Sequence, residues 1–202
     1  MSTQISVEFR LKLLRVARQS LKNFLENGEN TQFPTTIPVL LEKRAVFVTL
    51  RNRGNGDLRG CIGQSKPRYP LIEAVAKTAI SSAVDDTRFP SLTLDELQDL
   101  LIEINVLSPL VPSKPEDVKI GKHGLMINKG SNGALFLPEV AISNGWNLHK
   151  FLDELCRKAD LTEGSWHDRD AELYVFESES WSENEFLSLF CFSSTSTSFF
   201  FR

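Results

Sequence analysis

The sequence predicts an α+β fold in which helices pack on mainly antiparallel strands, instead of a regular βαβ succession. Three observations carry this. A strand-type run, Ala45-Val46-Phe47-Val48-Thr49-Leu50, meets the turn Arg51-Asn52-Arg53-Gly54-Asn55-Gly56-Asp57 and a returning strand over residues 58–62, which together read as a hairpin. A second hairpin signal flanks Lys129-Gly130-Ser131-Asn132-Gly133. Helical periodicity then falls at irregular intervals, at residues 9–25, 71–84 and 148–159.

Taken in order, residues 9–25 form an amphipathic helix. Phe9, Leu13, Leu14, Ala17, Leu21, Phe24 and Leu25 recur at steps of three and four, with Arg10, Lys12, Arg15, Arg18 and Lys22 between them. Ser6 is placed to cap its start and Gly28 to end it. Residues 31–38 are a proline-containing loop. Residues 71–84 are apolar nearly throughout, and their alanines permit close approach of a neighbouring element. Asp85-Asp86 then oppose the helix dipole, so the helix stops before them or Arg88 offsets their charge.

Thr93-Leu94-Asp95-Glu96 is a capping box that opens a short helix at residues 94–99. Residues 101–107 alternate as a strand, with Ile102, Ile104 and Val106 on one face and Glu103 and Asn105 on the other. Pro109, Pro112 and Pro115 stiffen the next connection. After the second hairpin, residues 138–142 begin a short helix and Trp146 is an apolar anchor. Residues 148–159 place Leu148, Phe151, Leu152, Leu155 and Ala159 on one helical face, with Cys156 as a small buried hydrophobe. Residues 173–176 read as the last strand.

Composition narrows the function classes. The chain has 202 residues and is 41% hydrophobic, enough for one core or two packed lobes. Lys and Arg number 23 against 26 Asp and Glu, so the net charge of -3 gives no global attraction for nucleic acid, and nucleic-acid binding ranks last among the functions considered. Cys61, Cys156 and Cys191 lie far apart, without zinc spacing or a disulfide framework, and a reducing, cytoplasmic location is expected. No signal peptide or membrane-length apolar run is read. The glycine-rich turns lack the Lys-Ser/Thr ending of a phosphate loop, so no cofactor and no metal are predicted.

Chemistry concentrates in Leu58-Arg59-Gly60-Cys61-Ile62-Gly63. Cys61 is the candidate nucleophile, its alternative being a packed strand residue. Arg59, two residues away along a strand, is expected on the same face, where its charge favours a thiolate or an anionic substrate. Gly60 and Gly63 permit close approach of a ligand to the backbone. Asp86 and Arg88 form a second cluster, either an acid–base group with a substrate clamp or a structural ion pair. His123, in Gly121-Lys122-His123-Gly124, is a further candidate base, and Glu139 either lines a site or favours a helix N-terminus.

The hexapeptide at residues 58–63 resembles the signature of the AMMECR1 domain family in its prokaryotic form, and further blocks agree in order. These are Asp86-Thr87-Arg88-Phe89-Pro90, Gly121 with Gly124, Leu137-Pro138-Glu139-Val140-Ala141, Gly145-Trp146, Leu155-Cys156-Arg157-Lys158-Ala159 and Trp166. The resemblance covers residues 7–181, taken as one AMMECR1-like domain. Ile142-Ser143-Asn144 replaces an often acidic segment, Asn147 replaces a frequent Asp, and Asp160 stands where Gly is common. The resemblance implies a compact fold with a larger and a smaller lobe around a cleft, and Memo-like and radical-SAM proteins as partners. Two functions follow as expectations: an enzyme acting on a small anionic substrate through Cys61, or a non-catalytic adaptor presenting the hexapeptide to a partner.

Residues 182–202 depart from that pattern. They are rich in Phe, Ser and Thr, and read as an atypical or non-native tail, disordered from about residue 193. Membrane contact is expected only through this tail.

Overall fold

The structure, a computed structural model, describes residues 4–186. In chain order the helices are α1 (Val7–Asn27), α2 (Pro38–Leu41), α3 (Leu71–Val84), α4 (Pro138–Ser143) and α5 (Leu148–Lys158). The strands are β1 (Val46–Asn52), β2 (Leu58–Gln64), β3 (Leu100–Leu107), β4 (Val111–Pro112), β5 (Gly124–Lys129), β6 (Asn132–Phe136), β7 (Glu172–Phe176) and β8 (Ser178–Ser182). They divide into two units, residues 4–106 with 180–186, and residues 107–179. The α+β class holds in both, and β1 with β2, β1 with β3, β4 with β7, β5 with β6 and β5 with β7 pair antiparallel.

The first unit contains a sheet of order β2-β1-β3-β8. Strand alternation puts Val46, Val48 and Leu50 on one face, directly opposite Val106, Ile104 and Ile102. All six are buried, each apolar side chain worth about 1.5–3 kcal/mol on removal from water. Helix α3 packs on this face, against β1 and β2 on one side and α1 on the other. The start of α1 is held by Ser6 Oγ, which accepts the Phe9 N–H, and its end by Gly28 at φ +73°, whose N–H reaches Phe24 O. Helix α3 stops at Val84, ahead of the two aspartates.

Three expectations are corrected. The segment after Thr93 is a 3₁₀ turn, Asp95–Asp99, and only the glutamate half of the capping box forms. Glu96 Oε2 accepts both the Thr93 N–H at 2.9 Å and the Thr93 hydroxyl at 3.1 Å, so that hydroxyl does not accept from the helix. Residues 173–176 are not the last strand, because β8 follows and pairs beside β3. Residues 182–186, read as the start of the tail, are folded. Glu183 is buried and takes two bonds from Arg18, Nε at 2.6 Å and Nη2 at 2.5 Å, and one from Ile102 N–H at 3.0 Å. The readings for residues 187–202 lie outside the described residues.

The second unit carries a sheet of order β4-β7-β5-β6. Its core joins Leu125 and Ile127 to Ala141, Phe151, Leu152, Leu155 and Cys156. Trp146 is the expected anchor, 5.7 Å from the Phe136 ring and 6.5 Å from the Phe151 ring, the spacing of aromatic pairs. Asn147 caps α5 by accepting the Lys150 N–H. Asp160 adopts φ +56°, the left-handed conformation that glycine takes most easily, so an aspartate here carries strain that a glycine lacks. Burial pushes the Cys156 thiol upward and fits it as a packing residue. No described helix is long and apolar enough to cross a membrane.

Candidate functional site

Strand β2 lies at the edge of its sheet, and the sequence Leu58–Gln64 is what that edge presents. Cys61 pairs with Thr49, which in turn pairs with Glu103, so thiol, hydroxyl and carboxylate form one row across three strands. The Thr49 hydroxyl donates to Cys61 Sγ at 3.3 Å. Glu103 is braced by the Ser180 hydroxyl at 3.2 Å and by Arg51 Nε at 3.4 Å. Cys61 is half-buried, which leaves part of the residue open to solvent.

The outer edge of β2 is closed by the segment after α3. Cys61 N–H donates to Asp86 Oδ2 at 2.8 Å, and Arg88 Nη2 donates to the Cys61 carbonyl at 3.3 Å. Arg88 also grips Asp86 as a fork, Nε to Oδ1 at 2.9 Å and Nη2 to Oδ2 at 2.7 Å. The Asp86 carboxyl is held well below the usual carboxylate range, first by the Arg88 side chain and then, against the cost of burial, by the Cys61 and Arg88 backbone N–H groups. Asp86 is therefore ionised at neutral pH, with bonds to the Arg88 side chain and to the Cys61 and Arg88 backbone N–H groups. The Arg88 guanidinium is raised by the same pair, feels Cys61 as well, and keeps 55% of its side-chain surface exposed.

The residues chosen from sequence separate into groups. Cys61, Asp86 and Arg88 come together. Arg59 is engaged by a carboxylate of its own. Gly60 pairs with Leu50 while Leu58 pairs with Arg51, which makes Arg59 the extra residue of a bulge. Alternation does not carry across a bulge, and the Arg59 guanidinium is tied to Glu96 Oε1 at 2.8 Å and Oε2 at 3.1 Å. That pairing draws the Glu96 carboxyl down, with the Thr93 bonds adding to it.

The close approach anticipated at the two glycines is made by the protein's own atoms. A Cβ on Gly60 would lie 2.1 Å from the Ser82 carbonyl of α3, and one on Gly63 would lie 1.9 Å from the Phe47 ring. Ser82 adds a second tie, because its hydroxyl accepts the Ile62 N–H at 3.0 Å and lies 2.8 Å from the Val48 carbonyl. Thr49, Ser82 and Glu103 were not singled out by sequence reasoning. Counted back from the turn at residues 51–57, the hairpin signal alone pairs Thr49 with Arg59; the pairing of Arg51 with Leu58 and the bulge at Arg59 shift the register and bring Thr49 across from Cys61.

His123 and Glu139 belong to the second unit, residues 107–179. His123 Nδ1 accepts the Lys119 N–H at 3.2 Å, closing a local turn. Glu139 is exposed in the first turn of α4. Among the described residues no cluster of three or more His, Cys, Asp or Glu side chains is arranged to hold a metal ion.

The AMMECR1 family model matches residues 14–181. Protein PH0010 of Pyrococcus horikoshii is 43% identical over 182 residues, covering 85% of this chain and 88% of that protein. A protein of Thermococcus onnurineus is 44% identical over 182 residues, with the same two coverages of 85% and 88%. Protein MK0488 of Methanopyrus kandleri is 37% identical over 193 residues, covering 92% and 93%. The crystal structure of the uncharacterised protein PH0010 superposes with a TM-score of 0.80 at 41% identity, over 88% of this chain and 93% of that one.

Proposed function

The chain belongs to the AMMECR1 family, and from that premise we propose that it is an enzyme acting on a small anionic substrate at the edge of β2. Cys61 is the nucleophile in this reading and Arg88 the anion anchor. The single observation that supports it is a half-buried thiol, hydrogen-bonded by Thr49, whose own peptide is bonded to a half-exposed guanidinium. A fixed cation beside a partly open thiol favours an approaching carboxylate or phosphate. Asp86 acts as a positioning residue: ionised and fully engaged, it fixes Arg88 and the Cys61 backbone.

A second reading is supported by the filled glycine positions and the neutralised Arg59. Both make the hexapeptide a packed surface, as a non-catalytic adaptor requires. Its partners in that reading are the Memo-like and radical-SAM proteins that the family resemblance implies.

Alkylation of the native protein, read cysteine by cysteine by peptide mass spectrometry, tests the enzyme reading. Cys61 is expected to react at least about tenfold faster than the buried Cys156, and inorganic phosphate is expected to slow Cys61 alone. Equal protection of both until unfolding removes the nucleophile and leaves the adaptor.

A further inference from the structure

The second unit holds a hollow of about 570 Å³, in the size range of small-molecule sites. It lies wholly within residues 107–179 and is independent of Cys61. Its walls are Pro115, Leu148, Leu152 and the Trp166 indole, and its polar lining includes Glu116 and His149. No lysine or arginine is among its lining residues.

His149 is aimed by a partner beneath it. One turn on along α5, Asp153 is buried and its Oδ2 lies 2.9 Å from His149 Nδ1. The other oxygen, Oδ1, accepts the Trp166 indole N–H at 2.9 Å and the Gly164 N–H at 3.1 Å. Burial alone raises the Asp153 carboxyl, but the bonds from Trp166 and Gly164 and the neighbouring His149 outweigh it and hold it low. The Asp153 carboxylate holds the imidazole through Nδ1, which leaves Nε2 as the nitrogen turned away from Asp153. The Trp166 ring stands edge-on to His149 at 5.5 Å and is covered on one side by His167 at 3.5 Å. One carboxylate thus holds an imidazole and an aromatic wall in fixed register.

Several cations of this unit are matched by carboxylates outside the hollow. Lys150 and Arg157 bond Glu154 at 2.8 Å each, Arg157 also bonds Glu163, and Lys129 bonds Asp168 at 2.5 Å. Beside its apolar residues the lining holds the Glu116 carboxylate and the imidazoles of His149 and His167. We propose that this hollow binds a protonated primary amine carried on a small apolar body, its ammonium shared between Glu116 and His149 Nε2 and its body against Trp166, Leu148 and Leu152. A free amine and the N-terminus of a peptide share this chemistry.

The test uses the full chain and three probes with one body and different heads: 2-phenylethylamine, 2-phenylethanol and 3-phenylpropanoate. The readout is the indole N–H signal of Trp166 in nuclear magnetic resonance, with Trp146 and Trp181 as internal controls. The amine is expected to shift the Trp166 signal saturably and to bind about tenfold tighter than the carboxylate. Glu116→Gln is expected to weaken the amine about threefold to fivefold and to leave the alcohol unchanged. His149→Phe, which keeps the aromatic ring, is expected to weaken amine and alcohol alike by about threefold to tenfold. Glu116 and His149 are exposed, so both variants retain the fold.

A tetrapeptide with free N-terminal phenylalanine separates the sources. Binding tighter than 2-phenylethylamine assigns a peptide N-terminus, and weaker binding assigns a free amine, provided the N-acetylated peptide does not bind. The proposal is overturned if no probe gives a saturable shift, if the carboxylate binds as tightly as the amine, if the control indoles move as much as Trp166, or if Glu116→Gln has no effect.

Discussion

The Asp86 carboxylate accepts the backbone N–H of Cys61 at 2.8 Å, so a side chain occupies the place where a further strand would pair with β2. Arg88 takes the matching carbonyl. An open sheet edge is a template for aggregation, and this one is closed at Cys61 by an ion pair.

Asp86→Asn keeps the shape and the Oδ1 acceptor but loses the charge that grips Arg88. It is expected to cost about 1–3 kcal/mol, read as a lower urea midpoint with unchanged slope. The pH dependence has a definite sign. Asp86 ionises more easily folded than unfolded, so its contribution is complete above the unfolded value of about 3.9 and is lost as pH falls toward its folded value. The wild-type chain is therefore expected to lose stability from about pH 5 downward more steeply than Asp86→Asn.

Gly60→Ala and Gly63→Ala are expected to differ. The first sets a methyl group 2.1 Å from a backbone carbonyl of α3, which cannot turn away. The second meets the Phe47 ring, which can. Thermal or urea unfolding is expected to show a loss of about 3 kcal/mol for Gly60→Ala and about 1–2 kcal/mol for Gly63→Ala.

Glu183→Gln leaves Arg18 bonded to the Leu97 and Leu100 carbonyls but without its buried carboxylate partner. Removing one partner of such a pair is expected to cost about 3–5 kcal/mol by chemical denaturation. A neutral result would detach residues 180–186 from the stability of the first unit.

Asp153→Ala deprives the Trp166 indole and the Gly164 N–H of a shared acceptor. Unfolding is expected about 1–3 kcal/mol easier, and the Trp166 indole N–H is expected to lose hydrogen-exchange protection before those of the other tryptophans.

The helices and hairpins were legible because their signals are local. Ser6, Gly28 and Asn147 cap where short-range chemistry places them. The apolar run of residues 71–84 matched α3 end to end because the two aspartates that follow it oppose the helix dipole. The bulge at Arg59 and its tie to Glu96 were not legible because both are set by pairing between segments, which alternation along one strand does not reveal. Ser82, Glu183 and the row from Cys61 to Glu103 depend on contacts between segments distant in sequence. The His149–Asp153 pair was visible as an i,i+4 spacing on a helix, but nothing local marked Trp166 as sharing its carboxylate. Strand β8 was lost because Ser178-Glu179-Ser180-Trp181-Ser182 carries one large apolar residue and no β-branched run.

The most direct test of the anion-guided thiol compares two reagents that differ only in charge. Iodoacetate and iodoacetamide are applied to native and urea-unfolded protein, and the ratio of their rates is read at Cys61. The account predicts a native ratio about threefold or more above the unfolded ratio, reduced to the unfolded value in Arg88→Gln. A native ratio equal to or below the unfolded one, unchanged by Arg88→Gln, would contradict it.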